Sequence, residues 1–281
     1  MGSLARSPFQ DPVVRIAAMA GTLLAIVLAV VLAVRLGLGE PRACAVCGEA
    51  IGREEAYAEP EYDDVYHASH AQMLRCDYCG RIVSEFSTGG PGVWKLDGRR
   101  MCASCHHVAV VDWDEGKKIA AAMRGRLAQL GLKLPNEVQL SLVDEVTLKR
   151  LFEKSHVKDG MIEGLTQQTR FSDGREELEV FVLSGLPRAR CEWVVAHELT
   201  HAWNYALHTP VHAPRLEEGA AELVAMKIMA GRTNPAAKRL VARALENETP
   251  IYGDGLRKAA QYEQAHGFNQ LVRLLKASKD F

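Results

Sequence analysis

The sequence predicts an α+β fold that consists of an N-terminal transmembrane helix, a small double zinc finger and a mostly helical domain with a short sheet. Three observations lead to this prediction: an uncharged apolar run near the N-terminus, three C-x-x-C pairs ahead of residue 110, and an H-E-x-x-H motif in a helical pattern beyond residue 190. The corresponding boundaries are residues 1–40, 41–110 and 111–281.

The composition supports folded domains and argues against a nucleic-acid partner. Of the 281 residues, 48% are hydrophobic and 25% are charged, which is ordinary for a chain with a buried core. Lysine and arginine total 34, aspartate and glutamate total 35, and the net charge is -1. Binding to phosphates needs a cationic excess, and with 6% aromatic residues few side chains are left to stack on bases. No nucleic-acid partner is therefore expected.

The uncharged run spans residues 16–34, and its 19 residues are close to the roughly 20 that a helix needs to cross a bilayer. Arg15 and Arg35 bracket it and can reach the two interfaces. A cleaved signal peptide is the alternative, but its apolar region is usually about 7–15 residues long. We expect a single-pass membrane protein anchored in the lipid bilayer by this helix. The side on which the rest of the chain lies stays open, because basic residues flank both ends of the run.

Six of the seven cysteines form three C-x-x-C pairs, a spacing at which a tight turn points two thiolates at one zinc ion. Two four-ligand sites need eight ligands, and the six cysteines leave two to be supplied by other residues. The histidine pair His67 and His70, after the first C-x-x-C, can supply them. The sequence thus predicts two structural zinc sites. They consist of Cys44, Cys47, His67 and His70 in the first finger and of Cys76, Cys79, Cys102 and Cys105 in the second.

Two alternatives remain open for these residues. Three disulfides in an extracellular module would use the same cysteines, but they would leave the histidine pair unexplained. His106 and His107 directly follow Cys105 and could compete for its place as the last ligand. The seventh cysteine, Cys191, is expected to pack as a small apolar residue.

The segment 191–205 reads C-E-W-V-V-A-H-E-L-T-H-A-W-N-Y, contains neither Pro nor Gly, and carries apolar residues at helical spacing. On a helix, His197 and His201 lie four residues apart on one face, so both imidazoles can hold one zinc ion. Glu198 can reach a zinc-activated water without being a ligand. Such a water has its pKa lowered towards about 7, and Glu198 is expected to take its proton as general base and pass it to the leaving nitrogen.

A catalytic zinc needs a third protein ligand and an open position. The segment 214–230, which contains E-E-G-A-A-E, predicts a helix with a proline at its start. The E-E-G-A-A-E stretch resembles the glutamate helix of the gluzincin metallopeptidases, which implies that Glu218 binds zinc and that Glu222 orients a ligating histidine. Helical geometry directs Glu217 about 100° away from that face. Alternatively, Glu218 and Glu222 are solvated helix acids.

The finger region resembles a LIM domain in the order of its ligand pairs, and W-K-L-D-G-R-R-M-C-A-S-C at 94–105 is similar to a second LIM finger. It departs from LIM domains in two ways. They usually have cysteine where His70 stands, and they place two residues before the next C-x-x-C pair where this chain has five. The ligands are therefore better defined than the relation between the two fingers.

The whole arrangement, a LIM-like module followed by H-E-L-T-H-A-W and E-E-G-A-A-E, resembles the LIM-peptidase family, related to the plant ubiquitin-activated peptidases that limit organ size. The resemblance covers roughly residues 42–281. The plant members carry ubiquitin-interacting helices ahead of the LIM region. This chain has its apolar run there instead, so coupling to ubiquitin is not expected to carry over.

The resemblance implies a zincin-like metalloendopeptidase with a catalytic zinc ion. Combined with the apolar run and the finger spacing, it predicts a membrane-anchored enzyme with one catalytic and two structural zinc ions. It also implies protein or peptide substrates and leaves room for a protein partner on the LIM-like module. Such an enzyme also needs a donor that stabilises the oxyanion, and Tyr252 ranks first because Y-G-D-G reads as a loop facing a cleft. The other candidates are Tyr205, His208, His212 and His266.

Two other functions remain possible for the same sequence. In the first, the chain is a non-enzymatic adaptor whose fingers bind a protein partner while the metallopeptidase fold is only a scaffold. In the second, it is a peptidase kept latent by its own fingers. Glu198 favours an enzyme, because a scaffold needs no general base.

The remaining pattern predicts the elements around the site. Helices are expected at 114–130, 234–247 and 256–277, a strand at 138–143, and a pair of strands at 166–170 and 178–183 joined by a turn. In gluzincin-like folds, a strand just ahead of the active-site helix binds the substrate backbone by β-addition.

Overall fold

The computed structural model describes residues 42–52, 56–59, 61–134, 138–154 and 162–281. The predicted transmembrane helix at 16–34 lies outside these residues. Within the described part of the chain, no helix is both long and apolar enough to span a membrane. The fold combines many helices with small sheets, in agreement with the predicted mixture of the two.

The finger region is built of short elements. They are β1 (Ala56–Glu59), β2 (Asp64–His67), a 3-10 helix (Ala68–His70), α1 (Glu85–Thr88), β3 (Val93–Trp94), β4 (Arg100–Met101), α2 (Ala103–His107) and β5 (Ala109–Val110). Strands β1 and β2 form one antiparallel hairpin, and β3 and β4 form a second. Two-stranded hairpins are marginal in water on their own. This region therefore needs either bound metal or packing against the rest of the chain.

The second region contains the longer elements. Its strands are β6 (Gln139–Val143), β7 (Gly164–Arg170), β8 (Glu176–Leu183) and β9 (Leu186–Pro187). Its helices are α3 (Trp113–Gln129), α4 (Glu145–Lys154), α5 (Arg188–Ala206), α6 (Pro214–Ala230), α7 (Pro235–Glu246), α8 (Tyr252–His266) and α9 (Phe268–Ala277). Strand β5 pairs antiparallel with β9, which ties the end of the finger region to the start of α5.

A three-stranded sheet in the order β6-β8-β7 packs against α5. Strand β8 runs parallel to β6 and antiparallel to β7, so β7 is an edge strand of this sheet. Both β7 and β8 pack against α5. The alternating burial along β8 places Leu178, Val180 and Val182 in the core.

Helix α5 is buried almost throughout, because the sheet, α3 and α6 surround it. Helix α6 lies between α5 and α8. A side-chain carbon on Gly219 of α6 would lie 2.3 Å from the backbone of Gly255, so α6 and α8 approach this closely only because both positions are glycine. This contact brings the first turn of α8 next to Glu218.

Two expectations for the C-terminal part were wrong. The single helix expected at 256–277 is two helices, α8 and α9, separated by Gly267, whose φ of 86° is left-handed. Tyr252 was expected in a loop, but it is the first residue of α8. Thr249 provides the physical reason, since its backbone carbonyl accepts a hydrogen bond from Asp254 and its hydroxyl accepts one from Gly253.

One hydrophobic core unites the second finger with the helical region. Tyr78 and Met101 of the finger belong to the same buried cluster as Ile119 of α3 and Trp193 of α5. The core therefore crosses the boundary expected at residue 110. The first finger has a separate, smaller cluster that consists of Cys44, Val46, Tyr66 and Ile82.

Candidate metal centres

The candidate catalytic centre lies between α5 and α6. His197, Glu198 and His201 come from α5, and all three are buried. Glu218 comes from the first half of α6, which begins at a proline that cannot donate a backbone hydrogen bond and is suited to a first turn. The two helices pack side by side, so side chains on their facing surfaces meet.

Three ligand atoms converge in this space. His197 Nε2 lies 3.0 Å from Glu218 Oε2 and 3.0 Å from His201 Nε2, and His201 Nε2 lies 3.5 Å from Glu218 Oε2. Nitrogen and oxygen ligands at about 2.0–2.1 Å from a tetrahedral zinc ion lie roughly 3.4 Å apart. The separations and the donor types therefore fit one zinc ion held by three protein ligands.

Two further carboxylates contact the outer nitrogens of the histidines. Glu222 Oε1 lies 3.1 Å from His197 Nδ1, and Glu217 Oε1 lies 3.4 Å from His201 Nδ1. Both Nδ1 atoms are buried without a well-formed hydrogen bond, and these carboxylates are their charge partners. A carboxylate in this position can orient a ligating imidazole and raise its basicity. The expectation that Glu217 points away from the site was wrong. Glu217 and Glu218 instead face different nitrogens of His201, because an imidazole presents two nitrogens on opposite sides.

The charges around the site favour a cation. Burial lowers the pKa of His197, but the carboxylates of Glu218 and Glu222 outweigh burial and raise that pKa to about 9. The pKa of His201 is likewise raised well above its usual value, by Glu218 and Glu217 against the effect of burial. Burial raises the pKa of Glu218, but the two histidines outweigh it and hold that pKa far below its usual range. A divalent cation would satisfy the same carboxylates in place of the two protons.

Glu198 directly follows His197 on α5 and its charge acts on His201, but it does not belong to the group of three ligands. The hydroxyl of Thr166 on β7 donates to Glu198 Oε2 at 2.7 Å and also lies 2.9 Å from the Glu198 carbonyl oxygen. Gly164 lies at the start of the same strand. A side-chain carbon there would be 2.6 Å from Glu198 Oε1 and 2.7 Å from Val194 Cγ1. The edge strand therefore holds the Glu198 carboxylate, a role that the sequence pattern did not reveal.

Tyr252 is the oxyanion candidate whose ring faces that of a predicted ligand. Its ring centroid lies 6.4 Å from that of His197. Burial raises the pKa of the Tyr252 phenol, and the charges of Glu218, Glu198 and Glu222 raise it further. The hydroxyl therefore keeps its proton at neutral pH and can act as a donor.

Three of the other oxyanion candidates lie in a neighbouring cavity, and the fourth lies at the end of α8. Tyr205, His208 and His212 line a cavity of about 560 Å³ that borders the site at Glu217. His212 is buried and its Nε2 lies 2.8 Å from the carbonyl oxygen of Leu275, a contact that ties the α5–α6 loop to α9. His266 ends α8, where its ring lies 4.6 Å from that of Tyr262.

The two finger sites also bring their predicted ligands together. In the first, Cys44 Sγ lies 3.4 Å from His70 Nδ1, and Cys47 Sγ lies 3.5 Å from His67 Nδ1. In the second, Cys79 Sγ and Cys102 Sγ are 3.8 Å apart, which is about the separation of two sulfurs on a tetrahedral zinc ion with bonds of about 2.3 Å. In each of the two fingers, the four ligand atoms lie within 4.8 Å of one another. Both sets therefore fit structural zinc.

The thiols are poised for metal rather than for disulfides. All seven cysteines are free, including Cys191, which is buried as expected. Burial raises the pKa of Cys44, but hydrogen bonds from backbone N–H groups, including that of Val46, lower it to about 6. A thiolate is the form that binds zinc. Cys105 completes the second finger, whereas His106 and His107 are exposed.

Comparisons with known proteins point to one family. A family model described as DA1-like, Protein DA1, matches residues 118–242, a span that contains both helices of the candidate catalytic centre. Protein DA1 of Arabidopsis thaliana is 22% identical over 302 residues, which is 85% of this chain and 56% of that protein. This chain is similar to the DA1 proteins. Its relationship to the plant family expected from the motifs is supported as low-identity homology.

Other relatives agree with this similarity. Protein DA1-related 1 of Arabidopsis thaliana is 24% identical over 65% of this chain and 39% of its own length. Protein DA1-related 7 of the same plant is 22% identical over 83% of this chain and 52% of its own length. The chain thus spans about half the length of these curated relatives. No solved structure gives a significant match.

Proposed function

We propose that this chain is a zinc metalloendopeptidase that hydrolyses peptide bonds in protein substrates. One observation carries the proposal: Glu198, an acid outside the ligand group, is held by Thr166 beside His197, His201 and Glu218. A purely structural zinc site has four protein ligands and needs no such acid. The similarity to DA1 proteins supports a DA1-type function in general, and peptide hydrolysis is our more specific proposal.

His197, His201 and Glu218 would hold the catalytic zinc, which supplies Lewis acidity and lowers the pKa of water. Glu222 and Glu217 orient the two imidazoles through their Nδ1 atoms. Glu198 accepts the proton of the attacking water on its carboxylate and then delivers it to the leaving nitrogen of the cleaved peptide bond. Thr166 limits the rotation of that carboxylate, because its hydroxyl donates to Oε2.

Tyr252 would stabilise the oxyanion. Its phenol stays protonated for the reasons given above, and it lies on the side of His197 that faces α8. A donor that is fixed before the reaction stabilises developing charge without reorganisation. Among the described residues β7 pairs with a strand on one side only, so its other edge, beside Glu198, is where an extended substrate would add as a further strand.

The first test is hydrolysis of fluorescently labelled denatured casein by the full-length protein, before and after treatment with a zinc chelator. We expect cleavage that the chelator abolishes and that added zinc restores. A zinc-loaded chain that cleaves nothing would contradict the enzyme and would favour the adaptor, which needs no hydrolysis.

We further propose that residues 16–34 tether the enzyme to a membrane as a single-pass helix. The full-length protein should then remain with membranes after salt and carbonate washes. The double variant Ile26→Arg/Val30→Arg is the matched control, because each charge at the centre of a span costs about 2.5–3.5 kcal/mol. Recovery of the unaltered chain in the soluble fraction would contradict the tether.

A further inference from the structure

A group of buried ion pairs joins the second finger to the strand and helix of the candidate catalytic centre. We call Arg99, Glu163 and Arg190 the ion-pair clamp. Arg99 precedes β4 in the finger, and its guanidinium pairs with Glu163 Oε1. Glu163 Oε2 lies 2.5 Å from Arg190 Nε, in the first turn of α5. The side chains of Arg99 and Glu163 are only 6% and 9% exposed. A charge this buried depends on its partners, so the clamp holds three separate segments of chain together.

The finger fixes the Arg99 end of the clamp. The Arg99 guanidinium lies 5.3 Å from the ring centroid of Tyr78, which stands between Cys76 and Cys79 in the zinc turn. Asp97 also accepts a hydrogen bond from Arg99 Nε, at 2.6 Å. The position of Arg99 therefore depends on the turn that the finger metal would organise.

The other end of the clamp reaches the catalytic groups by two routes. Glu163 directly precedes Gly164, the residue that packs against the Glu198 carboxylate. Arg190 lies seven residues before His197 on α5, and two helical turns bring both to the same face. The positive charge of Arg190 also stabilises the carboxylate of Glu222, and that carboxylate contacts His197 Nδ1. A displacement of Glu163 would thus move the strand that holds the general base and the charges behind a zinc ligand.

We propose that Arg99 is a positioning residue for hydrolysis, through which the loaded second finger holds Glu198 and His197 in their working positions. This inference rests on the proposed peptidase function. It assigns the finger a part in the reaction geometry, in addition to any part in binding a protein partner.

The test compares Arg99→Gln with Arg81→Gln in the full-length protein. Arg81 is the matched control, because it forms a half-buried ion pair with Asp64 in the same region, without contact to the clamp. For casein cleavage we expect kcat of Arg99→Gln to fall about 10–100-fold, the usual effect of losing support behind a metal ligand, with KM within about twofold of the unaltered chain. Arg99→Lys should lose less kcat than Arg99→Gln, since lysine keeps the positive charge but lacks the planar, multi-donor guanidinium.

A second readout does not depend on hydrolysis. The catalytic zinc, identified as the ion missing from a Glu218→Ala variant, should leave for a chelator about tenfold faster in Arg99→Gln, but not in Arg81→Gln. If the unaltered chain cleaves no casein, the peptidase proposal fails, whereas this zinc-release comparison still decides whether Arg99 supports the site. Equal release from both variants would overturn the inference.

A third variant covers the case in which Arg99→Gln folds poorly. Glu163→Gln keeps the side-chain shape but removes the charge that pairs with both arginines. It should lower kcat at least as much as Arg99→Gln. If Arg99→Gln folds poorly, Glu163→Gln alone decides, and an unchanged kcat in it would overturn the clamp. If Arg99→Gln folds, the double variant should have the same kcat as Glu163→Gln alone, because both changes break one unit. If the fold-losses in kcat of the two single variants multiply in the double variant, the two residues act independently and the clamp is overturned. An Arg81→Gln variant that loses as much kcat as Arg99→Gln would also overturn it.

Discussion

The second finger and the candidate catalytic centre both crowd metal-ligand atoms into a buried space, yet their surroundings differ. The finger offers four cysteines and has no carboxylate among its ligand atoms. The catalytic centre offers three ligands, and Glu198 and Tyr252 lie beside them. A site with four protein ligands is closed and stabilises a fold, whereas a site with three keeps a position for water. The two sites should therefore respond differently to the loss of one ligand.

The largest effect is expected from Cys102→Ser in the finger. This change removes one of the four thiolate ligands. The serine hydroxyl can still accept the hydrogen bond that the Cys105 backbone N–H donates to Cys102 Sγ at the start of α2, so the loss comes from the ligand. Because the finger shares the main core, the free energy of unfolding should fall by about 4 kcal/mol or more. Chemical denaturation and zinc analysis measure both losses.

Cys47→Ser in the first finger is the matched control. It should also release one zinc ion, but with a smaller loss of stability, because the first finger packs in its own small cluster. Equal destabilisation by the two serine variants would contradict the distinction between the fingers.

The next effect is expected from Glu218→Ala in the catalytic centre. It should remove one zinc ion per chain and abolish casein cleavage, because only His197 and His201 remain as ligands. The fold should persist, since Glu222 and Glu217 still contact the outer nitrogens of both histidines. Circular dichroism and metal analysis separate the two effects. Unfolding of this variant would mean that the centre is as structural as the finger.

Gly164→Ala should lower kcat about 100-fold while zinc stays bound, because a displacement of about 1 Å at a catalytic group costs about that factor. The added carbon would lie 2.6 Å from Glu198 Oε1 and would push the carboxylate aside. Gly125→Ala is the control, since that position on α3 has no atom within 4 Å of the added carbon. If both variants keep the kcat of the unaltered chain, β7 does not position Glu198.

The smallest effect is expected from Glu217→Gln. His201 would lose the charge of its outer partner but keep a group of the same shape, so zinc affinity should fall about tenfold. A competition with a zinc-binding dye measures this affinity. An unchanged zinc affinity would show that the 3.4 Å contact between Glu217 and His201 does not contribute to metal binding.

Local patterns predicted most of the helices and strands after residue 110 and left out the contacts between them. The helix expected at 214–230 has those bounds, because proline marks its start and its apolar residues recur at helical spacing. Helix α4 at Glu145–Lys154 was not predicted. Gly267 lies inside an otherwise continuous helical pattern, and only its left-handed backbone reveals the break.

The finger ligands and the pair His197 and His201 could be read from spacing, because pairs three or four residues apart share one turn or one helix face. The ligand role of Glu218 was implied by the resemblance to the gluzincin glutamate helix. The role of Glu217 could not be predicted from the sequence. A 100° rotation from Glu218 around the helix prevents Glu217 from reaching His201 Nε2, but it does not prevent contact with Nδ1 on the other side of the ring. The ion-pair clamp could not be predicted from the sequence either. Its partners are separated by 64 and 27 residues and meet only through the tertiary packing of the finger on α5.

The most direct test of the account is the Glu198→Gln variant of the full-length protein. Glutamine keeps the volume and can still accept from Thr166, while His197, His201 and Glu218 are untouched, so the zinc content should not change. Without the base, the kcat for casein should fall by about 10²–10⁴-fold. A variant that binds zinc and cleaves casein as fast as the unaltered chain would contradict the assignment of Glu198 and, with it, the proposed mechanism.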